Sequence, residues 1–226
     1  MTVTINQPLQ YTLAANDSTV CTGTTVTLSV NIQPIDTVMD IQGNIYQTVR
    51  IGTQTWMAEN LRFSSYTTNV VANNQWSTLS SAAWSYYNND SQYNSTYGKL
   101  YNWYAANDYL ICPYGWHLPN DAEWTILVNN LGGPAIAGSK MKNTGTQFWV
   151  SPNLDATNSS GFNGLPSGAR GEDGSFSDLT FSGYFWSASQ INSTNASYWF
   201  LDYAGGDVFN PAVNKKTGKA IRCIKD

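Results

Sequence analysis

Only one stretch of this chain carries a complete helix signature, and that limits what the rest can build. Asn120 stands at an N-cap position, and Asp121 and Glu123 occupy the first turn. Asn120 with Glu123 makes a variant of the capping box. Trp124, Leu127, Val128 and Leu131 then recur at helical spacing, and Gly132 and Gly133 end the run. A second, shorter helix is expected within "GKLYNWYAAND". From Gly161 onward, glycine turns divide the chain into short aromatic strands, "YFWSAS", "SYWFLDY" and "AIRCI". "NIYQTVRIGTQTWM" reads as a hairpin, with Tyr46, Val49 and Ile51 before the Gly52 turn and Trp56 and Met57 after it. Ser64 to Tyr97 is rich in Asn, Ser and Tyr and lacks sustained periodicity, so loops with short elements are expected there. The sequence holds no internal repeat and no heptad pattern.

Charged residues make up only 12% of the 226, about half the usual share, while aromatics reach 14% with 9 Trp and 14 Tyr. Polarity comes instead from Asn, Ser, Thr and Gly, a composition common outside cells. Tyr and Trp among Ser, Gly and Asn is also the chemistry of binding surfaces, rigid rings beside adaptable hydrogen-bonding groups. The same rings could equally fill a loop-rich core. A net charge of -4 without a basic stripe argues against a nucleic-acid partner. No apolar run approaches the ~20 residues that span a bilayer. The opening "MTVTINQPLQ" has neither a charged nor an apolar signal-peptide region, so the expectation is a piece of a longer secreted protein. Three cysteines permit one disulfide and leave one odd thiol.

Residues 1–38 differ from the remainder. "TVTI" and "TVTLSV" alternate and are β-branched, as half-buried strands are. "STVCTGTTVTLSV" and "TVTINQP" resemble the first and last strands of bacterial immunoglobulin-like repeats. Some 35 residues cannot close the ~100-residue sandwich of that class. The segment therefore reads as an immunoglobulin-like remnant or β linker, with Cys21 lacking an evident partner, and residues 39–226 as the main domain.

Within the main domain six blocks occur in order: "DIQGNIYQTVRIGTQTWMAENL", "YGKLYNWYAA", "CPYGWHLPNDAEW", "GFNGLPSGAR", "FWSAS" and "IRCIKD". Together they resemble the Fibrobacter succinogenes major paralogous domain. That resemblance implies an α+β fold similar to C-type lectins, in the branch that includes formylglycine-generating enzymes and retroelement variable proteins. It implies a twisted antiparallel sheet, two helices, long loops and chain ends that meet, plus here the short N-terminal β segment. Members are typically secreted or anchored at the cell surface. In C-type lectin-like folds a cysteine pair ties the first helical region to the last strand, which implies a Cys112–Cys223 disulfide. Closing roughly 110 residues could stabilise the fold by about 4–5 kcal/mol in the chain-entropy model. Two buried free thiols, as in a cytosolic protein, are the alternative.

The resemblance does not bring an activity with it. The copper-holding reactive cysteines of the formylglycine-generating branch have no counterpart, since Cys112 and Cys223 fall at structural positions and Cys21 lies outside the domain. A glycosidase needs two opposed carboxylates. Of the three glutamates, Glu59 lies in the "MAENL" block, Glu123 caps a helix, and Glu172 sits in a turn-like "GEDG". His117 is the only histidine, and no nucleophile or carboxylate is signalled beside it. The expectation is no enzyme and no cofactor. Asn88–Asp90, Gly171–Gly174 and Asp202 with Asp207 supply oxygens, so a structural calcium stays open, but their spacing specifies no cage and suits turns.

The candidate ligand surface precedes the last strand. Alternation puts Tyr198, Phe200 and Asp202 on one strand face and Trp199, Leu201 and Tyr203 on the other. Leu201 is least suited to water, so its face should be the core. Gly205 and Gly206 make a turn, after which Asp207 and Phe209 rejoin the outward set with Asn210 at its margin. Trp186, Ser189 and Gln190 extend the patch. Phe200 buried beneath the Asn-rich loop is the alternative. The expected function is a cell-surface, lectin-like or protein-binding module whose ligand is a glycan or a protein. A structural subunit of an extracellular fibre or layer, self-associating through the N-terminal strands, is the second expectation.

Overall fold

The computed structural model describes residues 36–64 and 72–226, together with the backbone strands Leu13–Ala14, Ser29–Val30 and Thr68–Asn69. The chain divides into two compact units, Met1–Asp36 and Thr37–Asp226. In the first, Leu13–Ala14 pairs antiparallel with Ser29–Val30. The Cys21 and immunoglobulin-like expectations otherwise lie outside the described residues.

The second unit is mixed, with many strands, few helices and curled, mostly antiparallel sheets. The expected hairpin is present: Ile45–Ile51 pairs with Gln54–Met57, and Gly52 at φ +61 makes the tight connection. This sheet runs in the order Thr37–Met39, Ile45–Ile51, Gln54–Met57, Ile224–Lys225, Trp116–His117. The last strand therefore docks on an early one, with Ile224 opposite Trp56. Ser64 to Tyr97 contains short elements, among them helix Asn73–Ser77 and strand Ala83–Ser85.

The helix Asp121–Asn130 forms as its signature demands. The Asn120 side chain accepts from the Ala122 and Glu123 amides at 2.9 and 3.1 Å, and Glu123 Oε2 accepts from the Asn120 amide at 2.8 Å. Trp124 is 0% exposed and meets Trp56, Phe162, Phe185 and Trp199 at ring separations of 4.8–5.9 Å. The larger second helix is not the expected one. "GKLYNWYAAND" yields only the single turn Trp103–Ala106, whereas Pro134–Met141 forms two turns directly after the glycine stop. Proline at the first helical position is itself a start signal, because its missing N–H is one that a helix leaves unpaired.

Cys112 and Cys223 are bonded at 2.04 Å, so the disulfide ties the segment before the capped helix to the chain's end. Six of the eleven Lys and Arg residues are buried: Lys99, Lys142, Arg170, Lys215, Lys219 and Arg222. Their partners are carbonyl oxygens, side-chain amides and ring faces. Arg222, for example, donates to the Met57, Phe162 and Asn163 carbonyls and to Asn60 Oδ1, with its guanidinium 4.7 Å from the Phe162 ring centre. Burial pulls its pKa down to about 9. Buried charge is tolerated only when so satisfied.

Candidate aromatic surface site

The site is built on the antiparallel pair Ser182–Gln190 and Asn195–Asp202. Their register places Tyr184 opposite Phe200 and Trp186 opposite Tyr198, with Phe200 opposite Phe209 on the next strand, Val208–Phe209. Directly opposed residues share a face. Phe185, Trp199, Leu201 and Val208 therefore form the other face, and all four are buried against the capped helix and its neighbours. The expected register of Leu201 inward and Phe200 outward is the one observed.

The outward rings form a continuous row. Phe200 stacks on Phe209 with centres 4.8 Å apart, lies 5.6 Å from Tyr184 and 6.1 Å from Tyr198, and Tyr184 is 5.9 Å from Tyr198. Phe209 is 46% exposed and Phe200 is half-buried, screened by these neighbouring rings. At the Phe200–Phe209 end a shallow pocket of 310 Å³ is lined by both rings with Asp202, Ala204, Gly205 and Asp207. Tyr198, Phe200, Asp202, Asp207 and Phe209 are thus brought together as the sequence suggested.

The turn that closes this pocket is rigidly held. Lys142 is buried and its Nζ donates to the carbonyls of Leu154, Asp202 and Gly205 at 2.7, 2.9 and 2.7 Å. Its pKa is lowered by burial, the nearby Asp202 and Asp155 charges acting in the opposite sense. Helix Pro134–Met141 presses on the same turn: a Cβ on Gly138 would lie 2.5 Å from the Asp207 carbonyl, and one on Gly206 2.4 Å from Ser139 Oγ. Asp202 accepts from Ser182 Oγ and the Ala204 amide, both at 2.9 Å. Asp207 is exposed, and its carboxylate makes no hydrogen bond or ion pair among the described residues.

Four expected patch residues lie elsewhere in function or place. Trp186 is 0% exposed and donates its indole N–H to the Tyr101 carbonyl at 2.7 Å. Its position is on the outward face, but at that end of the strand its ring joins a second buried cluster with Tyr101, Trp103 and Leu118. A register shift between Trp186 and Gln190 then breaks the alternation. Ser189 accepts from the Asp121 amide at the helix start, and Gln190 accepts from buried Lys215. Asn210 donates to Ser197 Oγ, the Tyr198 carbonyl and Asp121 Oδ1, which ties it towards the helix rather than the rings.

Two residues went unnoticed in the sequence. Tyr184 has the parity of Trp186 and sits opposite Phe200, a signal readable once strand pairing is known. Its hydroxyl donates to Asp178 Oδ2 at 3.0 Å, and burial raises its pKa. Lys219 is buried against the row, its Nζ 3.9, 4.6 and 5.6 Å from the ring centres of Tyr198, Tyr184 and Trp186. Burial lowers its pKa to about 7.

His117 has carboxylate neighbours after all. Its Nδ1 is 2.6 Å from Asp226 and its Nε2 2.8 Å from Glu123, the capping residue. Burial alone would lower its pKa, but hydrogen bonds to Asp226 and Glu123 outweigh it and raise it. Both ring nitrogens are thereby engaged in pinning residue 226 to the helix start. Of the oxygen-rich segments, Asp90 accepts from the Gln92 amide and Asp173 from the Ser175 amide, the local geometry of turns.

A family model described as Fibrobacter succinogenes major domain matches residues 49–225. Comparison with curated proteins gives no match, nor does comparison with solved structures.

Proposed function

The chain belongs to the Fibrobacter succinogenes major domain family, and from that premise we propose that it is a non-catalytic, extracellular ligand-binding module with a C-type lectin-like fold. The observation that carries the reading is the outward row of Tyr184, Tyr198, Phe200 and Phe209 beside a 310 Å³ pocket. Rings left in water are costly, and a stacked pair next to a pocket with polar walls suits a partner that desolvates them. The lectin-like reading is supported by the pairing of an early with the last strand of the second unit, Ile224 opposite Trp56, and by a disulfide joining Cys112 to Cys223 beside that last strand. Secretion is supported by that same disulfide, which oxidising compartments sustain. The non-catalytic reading is supported by how these polar groups are engaged. Asp202 is committed to its own turn, and His117 is committed to two carboxylates.

The test is a combined glycan and peptide array probed with the native protein and with a Phe200→Ala, Phe209→Ala double variant. A ligand bound by the first and lost by the second supports the module. Binding that survives the double substitution places recognition elsewhere.

A further inference from the structure

Resting on that reading, we propose that the Phe200–Phe209 end of the surface receives a cationic side chain, best a guanidinium, from a protein or peptide partner. The pocket there is lined by two rings and two aspartates: Asp207, whose carboxylate has no partner among the described residues, and Asp202, which already accepts from Ser182 and Ala204. Ionised carboxylates only accept hydrogen bonds, so the occupant must bring donors. A guanidinium also stacks on aromatic faces and engages carboxylates with its fork of N–H groups, which an ammonium does less well.

Charge distribution points the same way. Six of the chain's eleven cations are buried, whereas Asp178 and Asp207 are exposed along this face and Asp202 is half-exposed. Asp207 has no internal partner among the described residues, while Asp178 already accepts from Ser177 and from the Tyr184 hydroxyl. Lys219 decides which end of the row is used. Its Nζ already lies 3.9 and 4.6 Å from the Tyr198 and Tyr184 ring centres, so that position is taken and the protonated form of Lys219 repels a second cation there. No such cation is found within reach of the Phe200 or Phe209 rings among the described residues. The same pairing of cation and ring is used inside the protein, where Arg170 lies 4.2 Å from Trp76 and 4.7 Å from Phe176.

The experiment compares a decapeptide of alternating arginine and glycine with its citrulline counterpart, which keeps the planar shape but replaces the charge and part of the N–H fork with a neutral carbonyl. Fluorescence anisotropy is read at roughly 0.05 and 0.5 M salt, since screening weakens exposed charge pairs across that range. The expected result is binding of the arginine peptide about tenfold tighter than the citrulline one, weakened by salt and by Asp207→Asn about fivefold or more. Phe200→Ala should abolish it while leaving the melting temperature near that of the native protein. Equal binding of both peptides, or indifference to Asp207→Asn, overturns the cationic assignment. In that event, array ligands still lost on Phe200→Ala, Phe209→Ala leave the binding module standing. An arginine peptide that binds undiminished to the Phe200→Ala protein, with array ligands equally indifferent, removes both. Failure of the arginine peptide to bind at all overturns the cationic assignment whatever the arrays return.

Discussion

Leu201 and Phe200 are neighbours in the chain and opposite in environment, one 1% exposed in the core and the other half-buried among surface rings. Leu201→Ala should cost about 2–5 kcal/mol, the transfer energy plus the cavity left behind. Phe200→Ala should cost far less and act on binding instead. Urea unfolding of the two variants separates them, and the reverse order would mean that the outward face is the structural one. His117 gives a second residue-scale expectation. Its folded pKa is raised above the unfolded value, so its contribution is complete below the unfolded pKa, near 6.5, and is lost as pH rises through the folded pKa. The melting temperature of the native protein should therefore exceed that of His117→Gln by most in mild acid, with the gap closing as alkali is added. A gap that widens with pH would contradict the assignment of His117 as a charged clamp.

Among the elements, helix Pro134–Met141 has the larger consequence for the site, although the capped helix has the clearer sequence. The first supports the pocket turn through Gly138 and Ser139, and Lys142 follows directly after it. Lys142→Met keeps the aliphatic volume but strips three carbonyls of their donor. A loss of about 2–5 kcal/mol is expected, since buried acceptors left unpaired keep their desolvation cost. Ligand affinity should fall with it, because Asp202 and Gly205 line the pocket. Chemical denaturation with a parallel binding assay checks both. For the capped helix, Asn120→Ala should cost roughly 0.5–2 kcal/mol, and Trp124→Ala roughly 3–5 kcal/mol. Calorimetry of the two variants would expose an error in either burial or capping.

At the scale of the whole molecule, the Cys112–Cys223 bond spans a sequence separation of 111 residues and so encloses most of the second unit's length. Restricting so long a loop in the unfolded chain is worth up to about 4–5 kcal/mol, often less in practice. The Cys112→Ala, Cys223→Ala protein should unfold at correspondingly lower urea, and reduction should shift the native protein towards it. If reduction leaves the midpoint unchanged, the bond contributes nothing to stability. Burying six cations also has a molecular consequence, since carboxylates are left as the more accessible charges and a cationic partner is drawn towards the surface.

The sequence alone determined what depends on local rules. The capping box, the Gly52 hairpin and the inward turn of Leu201 all follow from backbone geometry and alternation, and each is where those rules place it. The six ordered blocks identified the family, and the fold resemblance implied the disulfide. What tertiary structure decided were the matters that depend on which segments cover which. Trp186 shares the outward parity of Tyr184 and Tyr198, yet Tyr101, Trp103 and Leu118 pack with it in a buried cluster and turn a surface ring into core. Ser189, Gln190 and Asn210 are drawn away by Asp121 and Lys215, partners tens of residues distant whose approach no local pattern announces. Lys142 is an ordinary charged residue in the sequence until three carbonyls from distant segments close around it. Local periodicity reports which way a side chain points, and only the packed chain determines whether anything is there to meet it.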